Sequence, residues 1–182
     1  TFPDGQSARN FNQLAMLLQH NWDEARSLLA QGLFGPFFGS LGRIDLAHLV
    51  QNLSQEADKD RALDQLLQRF PTECLEPPKL YAEPQTLNLG QMGVDQDRAF
   101  DLVLPNQGMG LLFRAVVSNC KWLVVGELNH TQKIFQTPGE VHIPVKVIGK
   151  ELRAKADAWQ GQLSIDSNGG SARVQVKTEV PV

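Results

Sequence analysis

The apolar residues of this chain change their spacing near a cluster of prolines, and this change constrains the fold more than any other feature. From Ser7 to about Phe70 they recur every three or four positions, the spacing that lines one face of an α-helix. Beyond the segment ECLEPPKLYAEP the spacing falls to two, as in half-buried β-strands. The sequence therefore predicts a helical part followed by a β part.

Four apolar stripes predict the helices of the first part. Asn21 and Glu24 resemble a capping box at the start of the second helix, and Pro71 is expected to end the last one. This part is predicted to be a small helical bundle. The stripes are Phe11, Leu14, Leu17 and Leu18; Trp22, Ala25, Leu28 and Leu29; Leu46, Leu49, Val50 and Leu53; and Leu63, Leu66, Leu67 and Phe70.

Short strands at regular intervals are predicted between Lys79 and Val180, about seven in number. The alternation is clearest in VHIPVKV and ARVQVKTEV. The Asn-Gly dipeptide in SNGG predicts a tight hairpin turn, with a phosphate-binding nest as the rival interpretation. Strands in this cadence, with no helices between them, predict an antiparallel β-sandwich of immunoglobulin-like type.

The boundary between the two parts is predicted within a proline-rich connector containing Pro71, Pro77, Pro78 and Pro84. The chain of 182 residues has room for two small domains. The predicted fold class is thus α+β as two units: an N-terminal all-α helical bundle over residues 1–76 and a C-terminal immunoglobulin-like β-sandwich over residues 77–182.

Composition and charge narrow the classes of partner. Seventeen Lys and Arg against twenty Asp and Glu give a net charge of −3, so nucleic acid is not an expected partner. No apolar run approaches the roughly 20 residues that span a bilayer. Two cysteines, Cys74 and Cys120, are expected to be reduced, partly buried thiols, which favours a cytoplasmic location. Because the chain begins at Thr1 without Met, we take it as a piece of a larger protein.

The glycine-rich segment QGLFGPFFGSLG, residues 31–42, could suggest a phosphate-binding loop. It lacks the Lys of a P-loop and the spacing of the dinucleotide fingerprint, and a helix rather than a strand precedes it. We expect Gly32 and Gly42 to end helices and Pro36 to begin a short one. The segment is therefore interpreted as a corner of the bundle.

Six residues are candidates for contact with a protein partner. The phenylalanines of the glycine-rich segment either plug the bundle or form an exposed aromatic patch that docks a partner. The loop PNQGMG between two predicted strands offers a second contact region, since sandwiches bind partners through end loops and sheet edges. The candidates are Phe34, Phe37, Phe38, Asn106, Gln107 and Met109.

Patterns that carry catalytic or metal chemistry are incomplete. Asp58, Asp60 and Asp64 alternate as at the start of a calcium loop, but Leu63 and Arg69 stand where that loop needs Gly and Glu. A helix start is the expected alternative. The four histidines lie far apart, and the sequence holds no nucleophile elbow. We therefore predict no catalytic residue, no metal, no cofactor and no enzymatic activity for this fragment.

The two tryptophans of the β part fall at predicted strand starts. Trp122 and Trp159 are expected to pack between the sheets. The other interpretation is a platform on which a sugar or a peptide stacks.

The segment TLNLGQMGVDQDRAFDLVLPNQGMGLLFRAVVSNCKWLVV resembles bacterial immunoglobulin-like modules related to the major-sperm-protein and abnormal-spindle/hydin type. Those modules share an LxLG segment, a strand ending in an Asn-x-Gly turn, and a strand leading to WL. The resemblance implies an immunoglobulin-like fold for the β part. The matching residues are Leu87, Leu89, Gly90, Asn106, Gly108, Trp122 and Leu123.

The helical part is similar to a segment of multidomain bacterial signalling proteins, including serine/threonine kinases and Hsp70-like ATPases. Where WL is expected in that segment, this chain has Phe37-Phe38. Both resemblances imply non-catalytic accessory modules that recognise protein partners. The residues that carry the second one are Phe2, Pro3, Asp4, Gly5, Trp22, Ala25, Leu41, Gly42, Asp45, Leu46 and Ala47.

The predicted function is therefore a non-catalytic protein-binding accessory region of a larger bacterial cytosolic signalling or chaperone-like protein. One alternative is an extracellular carbohydrate-binding or adhesive module, which would expose Trp or other aromatic residues on one sheet face. A second is a hydrolytic enzyme, which would need a concave pocket with converging titratable groups.

Overall fold

A computed structural model describes residues 5–82 and 85–182 of the chain. The sequence resemblance at Phe2, Pro3 and Asp4 and the predicted connector residue Pro84 lie outside the described residues. The chain divides into two compact units, and the protein is of the α+β class. The helical unit comprises Thr1–Pro77 and Met109–Leu111, and the β unit comprises Pro78–Gly108 and Leu112–Val182.

The described part of the helical unit contains five α-helices. Four correspond to the four apolar stripes, and the fifth is the short helix expected within the glycine-rich segment. Their bounds are α1, Phe11–His20; α2, Trp22–Ala30; α3, Phe34–Ser40; α4, Ile44–Leu53; and α5, Lys59–Gln68.

Side-chain caps explain where two of these helices begin. The Asn10 side chain accepts a hydrogen bond of 2.8 Å from the Gln13 backbone N–H at the start of α1. At α5 the Asp58 carboxylate accepts hydrogen bonds from the backbone N–H groups of Asp60 and Arg61. The alternating aspartates therefore begin a helix, as expected.

The predicted capping box at Asn21 and Glu24 is wrong. The Asn21 side chain makes no cap hydrogen bond to α2 and instead donates from Nδ2 to the Leu17 carbonyl oxygen at 2.9 Å. The physical reason is that a single residue separates α1 from α2. Asn21 therefore serves the end of α1, whose last carbonyl groups need donors.

The core of the helical unit follows the four stripes closely. Two residues of the first stripe, three of the second and of the third, and all four of the last are buried, whereas Phe11, Leu17, Leu28 and Leu49 are half-buried. The buried apolar residues of this unit are Leu14, Ala15, Leu18, Trp22, Ala25, Leu29, Phe34, Phe38, Leu46, Val50, Leu53, Ala62, Leu63, Leu66, Leu67, Phe70 and Leu111.

The described part of the β unit contains eight strands in two sheets. One sheet has five strands in the order β1-β8-β7-β3-β5, and the other has three in the order β2-β6-β4. The bounds are β1, Thr86–Gln91; β2, Arg98–Pro105; β3, Leu112–Ser118; β4, Leu123–Val125; β5, Gln132–Thr137; β6, Glu140–Val147; β7, Trp159–Ser167; and β8, Gly170–Glu179.

Two details of the β unit differ from the expected antiparallel sandwich without helices. β1 pairs with β8 in parallel, and its chain neighbour β2 lies in the other sheet. A single 3₁₀ turn, Gly149–Glu151, follows β6. All the other strand pairs are antiparallel, including the hairpin at SNGG, where Ser167 pairs with Gly170.

The two sheets share one apolar core. Its buried cluster contains Leu104 and Ile143 from the three-stranded sheet and Val116, Leu163 and Val174 from the five-stranded sheet. Alternate residues of each strand face this core, as expected for a sandwich.

The tryptophans of the β unit contact each other. Trp122 is buried, as predicted, and its ring meets that of Trp159 edge-on with 6.2 Å between centroids. Trp159 is half-buried, and the Lys155 ammonium lies 4.1 Å from its ring centroid. Neither indole forms an open stacking platform.

Candidate protein-binding surface

A stripe of exposed apolar side chains lies on the helical unit. Ten large apolar residues are exposed among those the structure describes, and four of them fall between residues 33 and 44. These are Leu33, Phe37, Leu41 and Ile44, with 50%, 41%, 55% and 56% exposure. We call these four residues the α3 stripe. Exposed apolar residues scattered singly are ordinary, whereas a contiguous set is typical of a contact surface.

The helical period explains how the stripe forms. Phe34 and Phe38, four residues apart, share the face of α3 that is buried in the core. Leu33, Phe37 and Leu41 repeat at the same interval one position away, so they occupy the neighbouring face. The apolar surface of α3 is therefore wider than the core can cover.

Aromatic contacts fix Phe37 in place. Its ring meets the buried Phe38 ring edge-on at 5.2 Å between centroids, and Phe38 in turn contacts Phe34 and Phe70. The exposed ring is thus the outer member of a packed aromatic cluster. Rigid aromatic side chains of this kind lose little conformational entropy when a partner covers them.

Two glycines follow the ends of helices, as the sequence predicted. Gly32 and Gly42 have φ angles of 74° and 72°, in the left-handed region that favours glycine, and they follow α2 and α3. Pro36 lies in the first turn of α3, two residues after the helix begins, where its missing N–H is harmless.

A groove of about 390 Å³ adjoins the stripe, and we call it the Arg9 groove. Its floor is apolar and includes two residues of the α3 stripe. Two arginines stand among its lining residues. The residues that matter for binding are Phe11, Leu14, Phe37, Leu41, Arg9 and Arg43.

The two arginines differ in their electrostatic state. Arg43 donates to both carboxylate oxygens of Asp45, at 3.0 and 2.8 Å. These hydrogen bonds lower the pKa of Asp45 to about 2 and raise that of Arg43, so both stay charged at neutral pH and compensate each other. Within residues 5–82 and 85–182 the Arg9 guanidinium forms no ion pair. Among the described residues, the groove therefore has one arginine, Arg9, without an acidic partner.

A second depression, of about 530 Å³, is lined in part by Ile44. Gly32, Gly35 and Ala47 contribute little side-chain bulk to its lining, and His48 is exposed there. Three residues of the α3 stripe thus line concave surface: Phe37 and Leu41 the Arg9 groove, and Ile44 this depression.

The structure corrects two of the predicted contact residues. Phe34 and Phe38 are 6% and 0% exposed, so they support the core and cannot touch a partner directly. Only Phe37 of the three phenylalanines is exposed. Phe34 and Phe38 therefore plug the bundle, whereas the docking of a partner on Phe37 stays a prediction.

The remaining predicted residues lie elsewhere. Asn106, in the β unit, is half-buried, and its Oδ1 accepts hydrogen bonds of 3.0 Å from the backbone N–H groups of Lys79 and Gly108. Gln107 is exposed in the same turn. Met109 belongs to the helical unit, where its sulfur accepts from the Glu76 N–H at 3.4 Å. The structure does not gather these three residues and Phe37 into one unit, and their partner contacts stay predictions.

A buried carboxylate in the helical unit was not anticipated. Asp64 is 8% exposed and accepts hydrogen bonds of 3.0 Å from the Leu111 backbone N–H and from Gln68 Nε2. Burial raises the pKa of Asp64, although the Leu111 N–H opposes that shift. With Gln19, whose Oε1 accepts from the Gly110 N–H at 2.8 Å, it binds the segment Met109–Leu111 to the helices.

Other possible chemistry is sparse. In the described part of the chain, no cluster of three or more His, Cys, Asp or Glu side chains could hold a metal ion. Both cysteines are free, half-buried thiols, and burial raises the pKa of Cys120. None of the described helices has the length and apolar character needed to cross a membrane.

Comparisons with known proteins place the chain only by distant structural likeness. No known protein family matches the sequence, and no curated protein matches it. A Bacteroides ovatus ATCC 8483 protein assigned to carbohydrate binding aligns at 14% identity and a TM-score of 0.43, over 58% of this chain and 38% of that one. A family 123 glycoside hydrolase from Clostridium perfringens aligns at 9% identity and a TM-score of 0.43, over 53% of this chain and 23% of the hydrolase.

The ASH/PapD-like domain 7 of human CEP192 aligns at 9% identity and a TM-score of 0.41, over 57% of this chain and 86% of that domain. The chain thus spans less than half of the first two proteins and most of the third. Likenesses at these TM-scores carry no argument about activity. The resemblance of the helical part to kinases and Hsp70-like ATPases stays a prediction.

Proposed function

We propose that this chain is a non-catalytic protein-binding region and that the α3 stripe is its contact surface. The observation that carries the proposal is a group of four exposed apolar side chains: Phe37 on α3, Leu33 and Leu41 at its two ends, and Ile44 at the start of α4. Phe37 is the central anchor, because the buried aromatic cluster holds its ring.

The area of the stripe sets the strength of the interaction. Fully burying a Leu, Ile or Phe side chain contributes about 1.5–3 kcal/mol. Because the four side chains are 41–56% exposed, covering them contributes ~1 kcal/mol each, or ~4 kcal/mol together before the costs of association. This alone corresponds to a weak complex, so the Arg9 groove has to contribute for micromolar affinity.

The groove indicates the chemistry of the partner. A largely apolar lining that includes Arg9, which forms no ion pair with the part of the chain that the structure describes, suits an amphipathic segment whose apolar face carries a nearby carboxylate. An amphipathic helix with apolar residues three or four positions apart meets both requirements.

The setting we propose is a larger bacterial cytosolic signalling or chaperone-like protein. The free thiols of Cys74 and Cys120 and the resemblances of the two parts support it. The partner is another protein, and nucleic acid is not an expected ligand at a net charge of −3.

Selection from a displayed peptide library tests the proposed function. Peptides are selected on the wild-type chain and counter-selected on a Phe37→Ser/Leu41→Ser double variant. Enriched peptides should carry apolar residues at helical spacing and an acidic residue. Their affinities are then measured by fluorescence anisotropy on the wild type, the double variant, Arg9→Gln and the control Leu128→Ser, whose side chain is 79% exposed in the β unit.

The double variant should bind at least about tenfold more weakly, since it removes the aromatic anchor. Arg9→Gln should weaken binding severalfold and reduce its dependence on salt. Leu128→Ser should bind like the wild type. Equal binding by all four proteins, or failure to enrich any peptide, would refute the proposed surface.

One observation favours the alternative of an extracellular carbohydrate-binding module. An open depression of about 580 Å³ on the β unit is lined by side chains able to hydrogen-bond to sugar hydroxyls. A glycan array probed with the wild type and Arg173→Ala tests it, and signal lost in the variant would support it. The polar lining residues are Gln85, Ser164, Asp166, Ser171 and Arg173.

A further inference from the structure

We propose that Asn168 is a site of spontaneous deamidation, which the folded hairpin between β7 and β8 suppresses and which modifies the chain irreversibly once that hairpin opens. This inference goes beyond the proposed function, because it concerns a covalent change in the β unit. It rests on the sequence of the turn, on its hydrogen bonds and on its packing.

The sequence of the turn supplies the reacting groups. Of the nine asparagines in the chain, only Asn168 is followed by glycine. The backbone nitrogen of the next residue can attack Cγ of an asparagine, and a glycine without Cβ hinders that approach least. Asn168 is exposed at the tip of the hairpin, where Ser167 pairs with Gly170. Water and hydroxide therefore reach this part of the chain.

The reaction needs only hydroxide and water. The Gly169 nitrogen loses its proton to hydroxide and attacks Asn168 Cγ, so that a cyclic imide forms and the side-chain nitrogen leaves as ammonia after taking a proton from water. Water then opens the ring by breaking one of the two bonds of the imide nitrogen. Breaking the bond to Cγ gives aspartate, and breaking the bond to the main-chain carbonyl carbon gives isoaspartate. The net change is the gain of one water and the loss of one ammonia.

Two hydrogen bonds to β3 restrain Asn168. The Phe113 N–H donates to Asn168 Oδ1 at 2.9 Å, and the Asn168 N–H donates to the Phe113 carbonyl oxygen at 3.2 Å. β3 is the strand that pairs with β7 on the other side from β8. The attack requires the side-chain amide to turn toward the Gly169 nitrogen. The bond from the Phe113 N–H fixes that amide and therefore opposes the reaction.

The attacking nitrogen is restrained as well. The Gly169 N–H donates to Ser167 Oγ at 3.1 Å, and the Ser167 hydroxyl donates to the Gly170 carbonyl oxygen at 2.6 Å. Ser167 is buried, at 7% exposure, so its hydroxyl is held within the turn. Base removes a hydrogen-bonded amide proton mainly when the bond opens. The Ser167 hydroxyl therefore protects the nitrogen that would attack.

Packing around Gly169 limits the motion of the turn. A Cβ on Gly169 would lie 2.7 Å from Leu112 Cδ1 and 2.8 Å from the Pro78 carbonyl oxygen. The Gly169 carbonyl oxygen also accepts a hydrogen bond of 3.0 Å from the Leu80 N–H. The turn is thus held against its neighbours in the β unit. We expect the rate of deamidation to follow the fraction of chains in which the hairpin is open.

The two products differ in their effect on the hairpin. Aspartate keeps an oxygen that can accept from the Phe113 N–H, so it should preserve the turn. Isoaspartate adds one carbon to the main chain beside Gly169, where Leu112 and Pro78 already pack closely. It should therefore loosen the hairpin. Because neither product reverts to asparagine, the modified fraction increases with every opening.

Incubating the whole chain in mildly alkaline buffer, with and without urea, tests the proposal. Mass spectrometry of the peptide that contains Asn168 measures the conversion, and labelling by isoaspartyl methyltransferase identifies isoaspartate. Conversion should be at least about tenfold slower in the folded chain than in urea, because it requires the hairpin to open. Asn168→Gln should convert far more slowly in both conditions, since its longer side chain closes a less favourable ring.

Ser167→Ala tests the role of the hydroxyl. The folded variant should convert severalfold faster than the folded wild type, whereas both should convert at the same rate in urea. Amide exchange at Leu163, which pairs with Val174, shows whether the hairpin stays closed in the variant. If exchange at Leu163 accelerates, conversion should accelerate in at least the same proportion, because opening of the hairpin then sets both rates.

Asn129, which His130 follows at another exposed turn, is the internal control and should convert more slowly than Asn168 in urea. Equal conversion of the wild type with and without urea would overturn the proposal, as would the absence of conversion at Asn168 in urea. A Ser167→Ala variant that converts at the wild-type rate while folded, or equal rates at Asn129 and Asn168 in urea, would also overturn it.

Discussion

Replacing Asp64 by alanine is expected to destabilise the helical unit by releasing the segment Met109–Leu111. The carboxylate accepts the Leu111 N–H at 3.0 Å, and Leu111 itself is 0% exposed. Alanine offers no acceptor at this position. The buried Leu111 N–H would then lose the hydrogen bond to this carboxylate.

The magnitude follows from the burial of the two donors. Leaving a buried N–H without an acceptor costs about 1–3 kcal/mol. Gln68 is exposed and can turn its amide to water, so its lost hydrogen bond costs little. Asp64→Ala should therefore lower the free energy of unfolding by about 2 kcal/mol. Asp64→Asn keeps an acceptor oxygen toward Leu111 and should stay within about 1 kcal/mol of the wild type.

The pH dependence of the free energy of unfolding separates the effect of the Asp64 charge from that of its hydrogen bond to Leu111. Burial raises the folded-state pKa of Asp64 above its ordinary 3.8, so the folded chain holds this proton more tightly than the unfolded chain. The protonated Asp64 carboxyl makes its full contribution to stability below pH 3.8, the ordinary pKa of the group. This contribution is lost as the pH rises through the folded-state pKa. The wild type should therefore lose stability relative to Asp64→Asn across that interval.

Urea unfolding followed by the helical signal in circular dichroism measures the free energy of unfolding of these variants. The signal reports on the helical unit, because the described α-helices all lie in it. Hydrogen exchange at the Leu111 amide gives a local readout and should be much faster in Asp64→Ala. If Asp64→Ala unfolds at the same urea concentration as the wild type and the Leu111 amide stays protected, the reasoning is wrong.

Three further predictions concern single residues. Gly39→Ala should raise the free energy of unfolding by about 0.5–1 kcal/mol in urea titration, because a Cβ there meets no atom within 4 Å and alanine favours helix. Gly161→Ala should lower it by about 1–3 kcal/mol, since the added Cβ would lie 2.9 Å from the Cys120 sulfur, whereas the open Gly139→Ala is the matched control. Cys120 should react with iodoacetamide more slowly in the folded chain than in urea at mildly alkaline pH, because burial raises its thiol pKa; equal rates by mass spectrometry would contradict this.

The helices show how far local pattern reaches. The four stripes predicted α1, α2, α4 and α5, because a helix must bury one face and the apolar residues of that face recur every three or four positions in the sequence. The capping box at Asn21 failed for a non-local reason. Only Asn21 separates α1 from α2, so its side chain could cap the end of α1 or the start of α2. It donates to the Leu17 carbonyl oxygen of α1.

The candidate surface shows the opposite limit. Phe34, Phe37 and Phe38 are alike in sequence, yet two are core and one is surface. Only the direction from which the neighbouring helices cover α3 separates them. Leu33 and Leu41 each lie four residues from Phe37, a spacing that could have marked a second apolar face along α3, whereas Ile44 begins α4 and only the fold shows that it is exposed as well.

The sequence by itself determined the α+β class, most of the helices and strands, and the hairpin at SNGG, because hydrophobic period and turn chemistry act over a few residues. The tertiary structure alone decided the parallel pairing of β1 with β8, the place of Met109–Leu111 among the helices, and the exposure of the α3 stripe. These depend on which distant segments meet, and the free energy of such contacts is not encoded in any local run of residues.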